Sequence, residues 1–94
     1  MQDKTGNELH EGDYVKTYRR QIIGSVPSNI AIIGSIDYDT ALVLFADDTV
    51  PIPFNSSPRT LLKLKDDVVS DKDKKRLSAA KTVFNQMMKE LRSA

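Results

Sequence analysis

Cysteine is absent from the 94 residues and histidine occurs once, at His10. The first absence excludes disulfide staples and thiolate metal sites. The two together leave His10 without the companions that a metal centre or a nucleophilic triad needs. Beside the glycine turn at Gly12, His10 reads as a solvated turn residue. There is neither a P-loop nor a GxGxxG run, so the usual backbone cradles for nucleotide phosphates are missing. No apolar stretch approaches the ~18 residues of a membrane span, and the opening MQDKTGNELHEG has no apolar signal-peptide core. The expectation is a cytoplasmic chain with no membrane contact, no cofactor, no metal and no catalytic residues.

Charge of one sign is also missing overall, since the net charge is +1, but the two ends differ. Residues 1–58 carry four basic side chains against eight acidic ones, and residues 59–94 carry ten against five. Near-neutrality argues against a strong general nucleic-acid binder, whereas an acidic body with a basic tail points to a polyanionic partner or to pairing between unlike ends. The carboxylate pairs Asp37 with Asp39, Asp47 with Asp48, and Asp66 with Asp67 all fall where turns are expected, which accounts for them without a cation.

The organising stretch is ALVLFADDTVPIPF, Ala41 to Phe54. Side chains alternate along a strand, so Ala41, Val43 and Phe45 face one way and Leu42 and Leu44 the other, and both faces are apolar. Such a strand lies inside a sandwich or small barrel, or has a helix across its second face. After the break at 46–49, Pro51 and Pro53 remove two amide donors from one edge, so Val50, Ile52 and Phe54 are expected to pair with the 42–45 strand from the other edge. The result is an edge strand.

Upstream, Tyr14 to Tyr18 reads as a strand with Val15 inward, and Arg19 to Asn29 as a long irregular loop or a loop with a short strand near its middle. Ile30 to Tyr38 reads as a strand with Ile30, Ile32, Ile36 and Tyr38 on one face and Gly34 marking a bulge or bend. Thr60 to Lys65 is the last short strand, directing either Leu61 or the pair Leu62 and Leu64 inward. Ser70 with Asp73 has capping-box spacing for a helix from Asp71 to about Arg92, with Asp71 adding charge at the positive end of the dipole.

The order Gly12-Asp13-Tyr14-Val15, long loop, Gly34-Ser35-Ile36-Asp37, VLFADDTVPIPF and TLLKL resembles small SH3-like barrels of the KOW and Tudor kind over about Leu9 to Leu64. The resemblance implies a non-catalytic module that binds nucleic acid or protein. The expected fold is therefore α+β, a five-stranded SH3-like antiparallel barrel over residues 1–68 followed by one amphipathic C-terminal helix over 69–94.

Two sets of side chains on that helix are candidates for function. At about 100° per residue, Lys74, Lys81, Lys89 and Arg92 line one edge, suited to a nucleic-acid backbone and extended by Arg19 and Arg20 of the long loop. Leu77, Ala80, Phe84, Met87 and Leu91, widened by Val83 and Met88, form an apolar stripe. That stripe docks on the barrel or meets a partner helix, from another protein or from a second copy as a homodimer; Leu77, Phe84, Met87, Met88 and Leu91 are the candidate contacts. The leading expectation is an accessory or regulatory module associated with nucleic acid. The alternative is a protein interaction module, such as an inhibitor, adaptor or assembly factor.

Overall fold

The computed structural model describes residues 1–20, 25–45 and 54–93, apart from the side chains of 18–20, 25–29, 54 and 93. Five antiparallel strands and one long helix make it an α+β chain: β1 (Tyr14–Arg20), β2 (Ser25–Asp37), β3 (Thr40–Phe45), β4 (Phe54–Ser56), β5 (Leu62–Lys63) and α1 (Asp71–Ser93). The sheet order is β4-β3-β2-β1-β5, with β4 and β5 at its two ends.

The double-faced apolar pattern of Ala41 to Phe45 is resolved by two cores, one on each side of the sheet. Ala41, Val43 and Phe45 join Val15, Ala31, Ile33, Leu9 and Leu61 on the inner side. Leu42 and Leu44 join Ile30, Ile32 and Tyr14 on the outer side, beneath Leu77, Ala80 and Phe84 of α1. Leu61 is the inward residue of its segment, fully buried, while Leu62 and Leu64 are half-buried.

Two bulges bend β2. Ile33 pairs with Val43 but Ser35 pairs with Leu42, so Gly34 is an extra residue opposite no partner. A bulge shifts the two-residue alternation by one position. Ile36 consequently packs with the inner core, not with Ile30 and Ile32, and Tyr38 leaves the strand for the turn at φ 50 with its side chain exposed. The expected common face for Ile30, Ile32, Ile36 and Tyr38 is thereby corrected.

The second irregularity corrects the long loop. Thr17 pairs with Asn29 and Arg19 with Val26, which leaves Pro27 and Ser28 opposite Tyr18. A bulge is where a strand tolerates proline, because the missing donor falls outside the ladder. Arg19 and Arg20 therefore belong to β1, paired with Val26 and Ser25, and are not loop residues. In the hairpin, β4 pairs Phe54 with Val43 and Asn55 with Leu42. Val50, Pro51, Ile52 and Pro53 lie outside the described residues.

The inner core is capped by the N-terminal segment. Asp3 ties that segment to β5: its Oδ1 accepts from Thr5 N at 2.8 Å, Thr5 Oγ1 at 2.8 Å and Asn7 N at 2.9 Å, and its Oδ2 accepts from Lys63 N at 2.8 Å. Lys63 Nζ adds a bond to the Glu8 carbonyl at 3.0 Å. The sheet edge at β5 is thus covered by a turn and a carboxylate, one of the usual ways in which an open edge is blunted.

Candidate binding surfaces on the C-terminal helix

Helix α1 begins where the sequence marks it, at Ser70, whose Oγ accepts from the Asp73 amide at 3.2 Å. That bond satisfies one of the orphan donors of the first turn, and Asp71 and Asp73 place negative charge beside it. From there the helix crosses the outer face of β2 and β3.

Its sheet-facing stripe is Leu77, Ala80, Phe84 and Met88. The Phe84 ring lies on the Gly34 bulge so closely that a Cβ at Gly34 would stand 3.1 Å from its Cε1 atom. The bulge glycine thus has a second role, admitting an aromatic ring against bare backbone. Leu77 and Phe84, candidates for partner contact from sequence, are buried against the chain's own sheet. The stripe does not continue to the helix end. Val83, Met87 and Leu91 are 46%, 40% and 69% exposed. Leu91 has nearly the same azimuth as Leu77, Ala80 and Phe84, so its exposure means that the last turn overhangs the sheet.

The basic row occupies the opposite flank of the docked stripe. Lys74 is half-buried and Lys89 and Arg92 are exposed. Lys81 is also half-buried: its Nζ donates to Asn85 Oδ1 at 2.8 Å and stands 3.5 Å from Glu11 Oε1. Glu11 is a residue that sequence reasoning passed over, because it reads locally as part of a turn with Gly12, which adopts φ 87. The turn brings its carboxylate across to α1. Between the helix and β2 lies a groove of about 330 Å³, lined by Glu11, Gly34, Ser35, Phe84, Asn85, Met88, Lys89 and Arg92. Two cations, one carboxylate, an amide and a hydroxyl thus line it beside Phe84 and Met88.

Arg19 and Arg20 are placed by β1 at its far end, where it pairs with the start of β2. A second groove, of about 510 Å³, lies by β5 and is lined by Asn7, Asp13, Tyr14, Lys63, Lys65 and Asp66 among others. Its charges are mixed, and Lys63 Nζ is 3.5 Å from Asp13 Oδ2. Among the described residues no three His, Asp or Glu side chains gather into a set that would hold a metal ion. Nor, among those residues, is any helix long and apolar enough to cross a membrane. No protein-family model matches the chain, and no curated protein or solved structure matches it either.

Proposed function

We propose that this chain is a non-catalytic, cytoplasmic accessory module, an SH3-like barrel of the KOW and Tudor kind with an added helix, that lies along a nucleic-acid backbone. Support for the barrel comes from the order β4-β3-β2-β1-β5 and from the two bulges in β2; among the described residues the sheet is open, with β4 and β5 each paired to one neighbour. The functional reading is carried by one observation: Lys74, Lys81, Lys89 and Arg92 share a flank of α1 beside the docked stripe, the first two half-buried and the last two exposed. Over the roughly 27 Å from Lys74 to Arg92, at 1.5 Å per residue, a row of cations meets phosphates without reading bases.

Lys81 must exchange Glu11 for a phosphate on binding. Glu11 therefore acts as an internal competitor, and Glu11→Gln is expected to strengthen binding. Reversing Lys74 and Lys89 to glutamate is expected to weaken binding to unrelated duplex sequences alike and to lower the salt slope by about 2, because two phosphates are no longer neutralised. Unchanged binding by gel retardation, or weakening confined to one sequence, would overturn this reading. The protein-partner alternative is favoured by the exposed Val83, Met87 and Leu91.

A further inference from the structure

Beyond the docked stripe and the basic row, α1 has a third face. Arg76, Ala79, Val83, Met87 and Glu90 recur at intervals of three and four residues, which places them within about 40° of a common direction. All five are exposed. That direction is about 100° from the sheet-facing stripe and about 160° from the centre of the basic row.

The face is self-complementary when turned end for end. With Val83 on a two-fold axis, residue i of one helix lies opposite residue 166 minus i of the other. Val83 then meets Val83, Met87 meets the small Ala79, and Arg76 meets Glu90, each of the last two pairs occurring twice. Parallel pairing instead sets Arg76 against Arg76 and Glu90 against Glu90. Neither Arg76 nor Glu90 has an ion pair among the described residues, so each is available for the other. We infer that α1 pairs antiparallel with α1 of a second copy through Arg76, Ala79, Val83, Met87 and Glu90.

One face of one helix is a small contact, below the roughly 1,200 Å² that a stable interface buries, so the pair is a reversible one. Its interface places apolar side chains at the centre and ion pairs at the rim, an arrangement in which charge fixes register and orientation.

Sedimentation equilibrium of the full chain from ten to several hundred micromolar tests it. The expected result is a mass that rises from monomer to dimer with concentration. Arg76→Glu should hold the chain monomeric, since it sets like charges opposite Glu90, and adding Glu90→Arg in the same chain should restore the dimer. Far-UV circular dichroism and melting temperature should stay unchanged, because both positions are exposed. A wild type that is monomeric throughout overturns the inference, as does a dimer that survives Arg76→Glu or is not restored by the double exchange. If the nucleic-acid reading fails while the charge exchange behaves as stated, the pairing stands by itself.

Discussion

Replacing Phe84 with alanine is expected to remove about 3 to 5 kcal/mol of folding stability, the range for deleting a buried aromatic ring. For a chain of this length, total stability is on the order of 5 to 14 kcal/mol, so the loss is a large share of it. Phe84 is 3% exposed and seated between Gly34 and the outer face of β2 and β3. Its ring packs with Ile32, Leu44, Leu77 and Ala80, so truncation removes contacts to several buried side chains at once. A melting temperature lower by about 12 °C or more is the corresponding readout. Leu91→Ala, at a side chain 69% exposed on the overhanging turn, should change stability by no more than about 0.5 kcal/mol. Equal effects at the two positions would mean that α1 does not dock on its own sheet. Gly34→Val approaches the same packing from the other side and should destabilise through overpacking by about 1 to 3 kcal/mol.

Asp3→Ala is expected to cost about 2 to 4 kcal/mol, although the residue sits in a turn near the chain start. Its side chain is buried and accepts from three backbone amides and one hydroxyl. Removing an acceptor of that kind leaves partly buried donors unpaired, and bonds to a charged group are worth more than neutral ones. Burial pushes the Asp3 carboxyl up, but the bonds from Lys63 N, Asn7 N, Thr5 Oγ1 and Thr5 N outweigh it and hold the carboxyl well below its ordinary 3.8. A folded-state value below the unfolded one makes the unfolded chain bind the proton more tightly. The stabilisation is therefore complete above the ordinary carboxylate range and disappears as pH falls from about 4 toward the lower folded value. Urea denaturation at pH 7 and at successively lower pH should show the wild type losing its advantage over Asp3→Ala. A constant difference between the two down to pH 2 would contradict that account.

What the sequence discloses and what it conceals separate by range of interaction. The alternation in Ala41 to Phe45 already requires apolar material on both sides of β3, and the structure supplies an inner core and a helix. Ser70, Asp71 and Asp73 mark the helix start because capping is local. Gly34 announces a bulge, but the reassignment of Ile36 to the inner core depends on the register with β3, which no local pattern states. The strand at Arg19 and Arg20 is hidden because backbone pairing with β2 continues through charged residues and Pro27. Asp3 and Glu11 read as turn residues; their partners are Lys63 and Lys81, at least sixty positions away. Likewise, helical periodicity extends through Leu91 regardless of where the covering sheet ends.

If the basic flank of α1 holds a nucleic-acid backbone, as proposed, the affinity for duplex DNA must fall with salt in proportion to the phosphates it neutralises. Each neutralised phosphate contributes about 0.9 to the slope of log affinity against log salt, so four cations set a limit near −3.5. Titrations of the wild-type chain between about 50 and 200 mM salt should give a slope between about −2 and that limit, the same for unrelated sequences. No retardation of duplex DNA, single-stranded DNA or RNA at low salt and tens of micromolar protein, or a slope near zero, would contradict the proposal.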